Sequence, residues 1–93
     1  GRLDRMINTG SYHVYPDEIE AAMRDIPGIA EVRVVGEPDP KWGQAVTAYI
    51  VPATPGPAEA LLATVREALA RRLARYKVPK AFHVVDRLPE REQ

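Results

Sequence analysis

The sequence predicts an α+β fold: a small three-stranded sheet with an N-terminal two-stranded ribbon or loop, covered by two amphipathic helices. Two windows carry apolar residues at helical spacing, three short runs are rich in β-branched residues, and Gly/Pro clusters separate them. In chain order, "MINTG" and "YHVYP" are short extended segments divided by Gly10 and Ser11, which reads as a ribbon or loop. Pro16 then suits a first helical position, where a missing N–H costs nothing. Asp17, Glu18 and Glu20 put negative charge at the positive end of that helix. Ile19, Ala22, Met23 and Ile26 line one face until Pro27-Gly28 halts the pattern. "IAEVRVVGEPD" predicts a strand from about Ala30 to Val35, with Gly36 and Pro38 as breakers, and "PDPKWG" is a turn. "QAVTAYIVPA" is a second β-rich run, closed by "PATPGP", which no helix could cross. From Ala58 the period changes: Leu61, Val65, Leu69 and Leu73 recur every fourth residue, and Leu62 and Ala68 broaden the stripe. Pro79 is expected to end this long helix, "AFHVVD" supplies the third strand, and Leu88-Pro89 opens an exit segment.

Composition narrows the function classes. Ninety-three residues make one domain near the low end of sizes that bury a useful core. Thirteen Lys and Arg balance thirteen Asp and Glu, so no whole-molecule field draws the chain to nucleic acid or an anionic membrane, and any anion site is local. Without cysteine there is no disulfide framework, thiol nucleophile or thiolate metal site, which fits a cytoplasmic location. The apolar runs fall short of the roughly 18 to 20 residues of a membrane span, and no leader pattern is read.

Three blocks go further than periodicity. "GRLDRMINTGSYHVYPDEIE", "VVGEPDPKWGQAVTAYIV" and "ARYKVPKAFHVVDRLP" occur in one order and together cover essentially the whole chain. They resemble the C-terminal subdomain of the adenylate-forming superfamily: acyl-CoA synthetases, peptide-synthetase adenylation domains and luciferases. The resemblance implies a large N-terminal domain of the same polypeptide that holds a carboxylic acid and ATP with Mg²⁺. The small domain swings between two poses, one for acyl-adenylate formation and one for attack by a thiol. Residues 1–93 would be that mobile domain, with the hinge at 1–5 and a loop over 6–16 that enters the active site in the thioester-forming pose. "VYPDEIE" resembles the acyl-CoA synthetase form, so CoA is the favoured acceptor. The alternative is an adenylation domain that loads a carrier protein's phosphopantetheine.

The resemblance assigns roles by position. Asp4 matches the hinge residue that absorbs the dihedral change of the swing; by itself it reads as a solvated turn carboxylate. Arg2 matches an arginine that reaches ATP phosphate, a task suited to a planar guanidinium, with a surface salt bridge as the plain alternative. Arg5 departs from the family's frequent second aspartate. Gly10 matches a glycine beside the pantetheine arm, where a side chain would block close backbone approach. Ser11, Tyr12 and His13 stand where many relatives carry Gly-Glu-Asn. His13 without a placed carboxylate reads as a surface or packing residue rather than a base. Trp42 sits in a loop where relatives place an aromatic near the CoA adenine; packing under the loop is the competing reading. Tyr76, Lys77 and Lys80 match a motif that meets the CoA nucleotide, and the same cations would also suit a helix C-terminus. The family's catalytic lysine is expected about two residues beyond Gln93, so no catalytic residue is expected within the chain and the chain alone is expected to be inactive.

Two readings from other classes stand beside this one. Arg71, Arg72, Arg75, Lys77 and Lys80 could form a basic patch for nucleic acid, although one Phe and one Trp are few aromatics for such a surface. A self-associating structural module is the other.

Overall fold

The computed structural model describes residues 6–89. Five strands form one sheet: β1 (Ile7–Thr9), β2 (Tyr12–Val14), β3 (Ile29–Asp39), β4 (Gly43–Pro52) and β5 (Ala81–Val84). Two helices, α1 (Pro16–Arg24) and α2 (Ala58–Arg72), complete the α+β architecture, with a 3₁₀ turn over Arg75–Lys77. The predicted ribbon and three-stranded sheet are therefore parts of one sheet. The long strand β4 is its centre: β3 pairs along one side, while β1 and β5 share the other, β1 at Gly43 and β5 along Thr47–Ile50. All pairings are antiparallel except β4 with β5, which are parallel because α2 carries the chain back across the sheet.

α1 forms where the sequence places it. Pro16 stands at its start, and Asp17 and Glu18 fill its first turn. Its inward face carries Ile19 and Met23, both fully buried, with Ile26 following just past the helix end. Each such side chain contributes on the order of 1.5–3 kcal/mol relative to exposure. α2 buries Val65, Ala68 and Leu69, and Leu61, Leu62 and Leu73 pack around them, so the predicted stripe is the face the helix uses. The core joins both helices to Ile7, Val14, Val32, Val34, Val46, Ala48 and Ile50 from four strands.

Two boundaries differ from the sequence reading, each for a physical reason. β3 runs through Gly36 and Pro38 to Asp39 instead of stopping near Val35. Pro38 is tolerated because β3 is an edge strand, and a proline there removes no ladder bond that a neighbour needs. Gly36 is where Ile7 crosses: a Cβ at that position would lie 2.9 Å from Ile7 Cγ2 and 2.9 Å from Gln44 Nε2. The second difference is the end of α2, which stops at Arg72, seven residues before Pro79, with Leu73 already extended at φ −126°. The intervening chain turns through the 3₁₀ segment before buried Pro79.

The outer edge of β3 is partly closed from above. Glu20, only 3% exposed, leaves α1 and accepts a 2.8 Å hydrogen bond from the Val34 N–H through Oε2. Its other oxygen meets Arg24 Nη2 at 3.4 Å.

Candidate functional site

Most of the described candidates gather where the ribbon tip, the β3–β4 turn and the 3₁₀ turn converge. The ribbon turns at Gly10-Ser11, with Thr9 opposite Tyr12, Asn8 opposite His13 and Ile7 opposite Val14. Gly10 has φ +61°, a left-handed conformation that disfavours any residue with a Cβ. Its N–H donates to the Trp42 carbonyl at 2.8 Å, and a Cβ here would lie 3.0 Å from Trp42 Cε3. The Gly10 turn and the Trp42 turn are thus stacked backbone on indole.

Trp42 is presented by a turn with a clear cause. Asp39 Oδ1 accepts hydrogen bonds from the Lys41 N–H at 2.8 Å and the Trp42 N–H at 3.0 Å, an Asx-type closure of the "PDPKWG" turn. The indole is both packed and open: it rests on Gly10, as the packing reading expects, yet keeps 38% of its surface exposed. Two ammonium groups flank it, Lys41 Nζ at 5.1 Å and Lys80 Nζ at 5.2 Å from the ring centroid. These lie within the range of a cation–π contact. Among the described residues neither lysine pairs with a carboxylate.

Tyr76 and Lys77 are engaged differently. Tyr76 stacks on Tyr12 with ring centroids 4.2 Å apart and planes 15° from parallel, which ties the 3₁₀ turn to the ribbon. Lys77 Nζ donates to both carboxylate oxygens of Glu18, at 3.0 and 2.9 Å, tying the same turn to the first turn of α1. That hydrogen bond pushes the Lys77 ammonium pKa above its ordinary value. Tyr12, Tyr15, Trp42 and Tyr76 are the large apolar side chains left exposed among the described residues, and three of them are site candidates. Ser11 lies exposed at the ribbon tip.

Three of the five basic residues read as a patch have carboxylate partners. Arg71 pairs with Glu67, Arg72 with Asp25 and the Ala22 carbonyl, and Lys77 with Glu18. Arg2, Asp4, Arg5 and Gln93 lie outside the described residues. Among the described residues there is no group of three or more His, Asp or Glu placed to hold a metal ion. No helix among them is long and apolar enough to cross a membrane.

Three neighbours of the candidates were not read from the sequence. Lys41 is adjacent to Trp42 and could have been named from that alone. Asn8 follows from hairpin register: a turn centred on Gly10-Ser11 sets residue 8 against residue 13. Glu18 lies 59 residues from Lys77, and no local signal joins them.

The sequence and the fold have counterparts in known proteins. Residues 18–93 match the family model "AMP-binding enzyme C-terminal domain". The chain belongs to this family. Among its relatives, 2-succinylbenzoate–CoA ligase of Bacillus licheniformis is 46% identical over 90 residues, covering 94% of this chain and 18% of the ligase. The 4-chlorobenzoate–CoA ligase of an Arthrobacter species is 40% identical, covering 96% of this chain and 16% of that enzyme. In structure, o-succinylbenzoate CoA synthetase from Bacillus subtilis, in complex with its acyl-adenylate intermediate, superposes with a TM-score of 0.79 at 38% identity. That match covers 94% of this chain and 17% of the synthetase. ATP-bound MatB from Rhodopseudomonas palustris gives 0.80 at 37% identity, over 98% of this chain and 18% of that one. The AMP-binding enzyme C-terminal domain thus spans under a fifth of the length of the relatives it matches.

Proposed function

We propose that this chain is the mobile C-terminal domain of an ATP-dependent carboxylate–CoA ligase, an AMP-forming acid–thiol ligase of the cytoplasm. A large N-terminal domain of the same polypeptide would hold the carboxylic acid and ATP with Mg²⁺. In that setting Asp4 is the hinge, Arg2 meets ATP phosphate, and a lysine beyond Gln93 serves adenylation. The ribbon around Gly10, Ser11 and Tyr12 borders the pantetheine arm in the second half-reaction. Trp42 and Lys80 face the CoA nucleotide, on a segment held in place by Tyr76 and Lys77.

One observation carries the CoA reading: an exposed indole, the two ammonium groups that flank it and the Gly10 turn meet in a single patch. CoA has a part for each. An adenine stacks on an aromatic face, its phosphates take the point charges of lysine, and its thin pantetheine arm needs close backbone approach. Within the patch Lys80 and Lys41 supply the charge facing outward, while Tyr76 and Lys77 hold the platform on which it stands. The naming of relatives as CoA ligases supports the same acceptor.

Trp42 is the sole tryptophan, so its emission reports directly on the patch. Titration with CoA is expected to quench it. Trp42→Ala, read by calorimetry, is expected to weaken binding by roughly 1–3 kcal/mol, a factor of about 5 to 150. Equal response to CoA and to phosphopantetheine without the nucleotide would favour carrier-protein loading. A salt-sensitive response to an oligonucleotide, with none to CoA, would overturn the reading.

A further inference from the structure

We propose that His13 is the general base that takes the proton from the acceptor thiol in the thioester-forming half-reaction. The inference rests on the reading just given, in which the ribbon meets the thiol-bearing arm, and it adds a catalytic residue to that reading. His13 lacks a carboxylate partner in the sequence. The fold supplies an amide instead: Asn8 lies directly across the ribbon, and its Oδ1 is 2.7 Å from His13 Nδ1. A carbonyl oxygen only accepts, so this contact favours the Nδ1–H tautomer, the one in which the neutral ring presents its Nε2 lone pair.

Asn8 is itself held. Its backbone N–H donates to Gln44 Oε1 at 2.8 Å, and its neighbours Ile7 and Thr9 are buried. Gln44 thus fixes the ribbon at Asn8, and Asn8 fixes the imidazole. His13 is exposed, and no further ring contact is made among the described residues. Neighbouring side chains alternate along a strand, so His13 points away from the face on which Tyr12 rests against Tyr76. The His13 face is the open one. A histidine oriented by an asparagine oxygen is the arrangement that activates thiol nucleophiles in Cys-His-Asn enzymes; here the thiol belongs to the substrate.

The step balances without a further reactant. His13 Nε2 accepts the thiol proton, and the sulfur electron pair forms the C–S bond at the acyl carbon. The bond from that carbon to the adenylate oxygen breaks, AMP leaves with the electron pair, and the imidazolium returns its proton to solvent. A free thiol with a pKa near 8.5 is only a few per cent ionised at neutral pH, so a placed base has work to do.

The test uses the full-length polypeptide that carries this chain, loaded with preformed acyl-adenylate and mixed with acceptor thiol in a single turnover. His13→Gln is expected to slow thioester formation with CoA by about 100-fold or more. Asn8→Ala, which frees the ring, is expected to fall between it and wild type. The decisive readout is a series of thiols: the deficit of His13→Gln shrinks toward unity with an aromatic thiol that ionises unaided. Melting curves of both variants check that the fold is intact. A His13→Gln rate equal to wild type with CoA would overturn the proposal, as would a deficit of the same size for every thiol. Wild type forming no thioester with any thiol would sink the ligase reading and this proposal together, whereas normal wild-type turnover with an unaffected variant sinks His13 alone.

Discussion

Gly10→Ala tests the centre of the candidate site, because two independent penalties meet at that position. Its φ of +61° costs a residue with a Cβ roughly 1–2 kcal/mol. The added methyl would also sit 3.0 Å from Trp42 Cε3 and 3.3 Å from Cζ3, so the indole must shift by a few tenths of an ångström. Overpacking of this kind adds of the order of 1 kcal/mol at a half-exposed site that can yield. The total is about 2–3 kcal/mol. For a domain of this size each kcal/mol lowers the melting temperature by roughly 4–8 °C, so a fall of about 8–24 °C is expected. Because Trp42 is the only tryptophan, the same displacement is expected to move its emission toward the red. Gly10→Asn separates the two causes: asparagine tolerates the left-handed region, so it retains the steric penalty and relieves much of the backbone one. A Gly10→Ala protein that melts within about 2 °C of wild type, with unshifted emission, would refute the packing of turn on indole.

Other consequences follow from side chains away from the indole. Glu20→Ala leaves the Val34 N–H on the β3 edge without its acceptor, at a cost of about 1–3 kcal/mol in urea unfolding, whereas Glu20→Gln keeps an acceptor oxygen and costs less. The same opened edge is expected to promote self-association, measurable by sedimentation at two concentrations. Lys77→Met is expected to change the urea unfolding midpoint little, since its pair with Glu18 is solvent-accessible. At alkaline pH two groups act with one sign. A hydrogen bond to Glu37, with burial and the Glu37 charge, raises the Tyr49 phenol pKa above 10.0, and the Glu18 hydrogen bond raises the Lys77 pKa above 10.5. Raised values mean that both contributions are complete below the unfolded pKa values and are lost as pH rises through the folded ones. Melting temperature is therefore expected to hold to about pH 9.5 and to fall above about 10.5, less steeply in Tyr49→Phe.

The elements were legible because local signals and tertiary burial agree. The stripe of Leu61, Val65 and Leu69 on α2 and the run of Ile19 and Met23 on α1 are the faces that the core uses. Where the reading stopped short, tertiary context overrode a local rule. Gly36 and Pro38 break strands in isolation, but here one admits Ile7 and the other lies on an open edge. Pro79 marks where a helix cannot continue, yet α2 ends earlier at Arg72, since the 3₁₀ turn must bring Tyr76 to Tyr12 and Lys77 to Glu18. At the site, residue types were readable and pairings were not. Trp42 and Gly10 are 32 positions apart and Tyr12 and Tyr76 are 64 apart, separations that no periodicity links.

The motif "RYKVPK" shows how one short stretch divides its labour. Lys77 and Lys80 are three residues apart and carry the same charge, and a sequence reading gives them the same task. The chain between them contains the end of the 3₁₀ turn and the buried Pro79, which redirect the backbone. Lys77 therefore points back to α1 and closes on Glu18, while Lys80 emerges beside Trp42 with its own N–H fixed to the Val46 carbonyl at 2.8 Å. The first lysine fastens the turn and the second is presented by it. Tyr76 adds a third attachment, to the ribbon, so the cation beside the indole stands on a segment pinned to α1, to β2 and to β4. A flexible, polyanionic ligand loses less on binding to such a surface than to free lysines, because the ordering cost on the protein side has been met in folding. That argument assigns the strut residues Tyr76, Lys77 and Glu18 an effect on affinity that is indirect and uniform, and reserves selectivity for Trp42, Lys41 and Lys80.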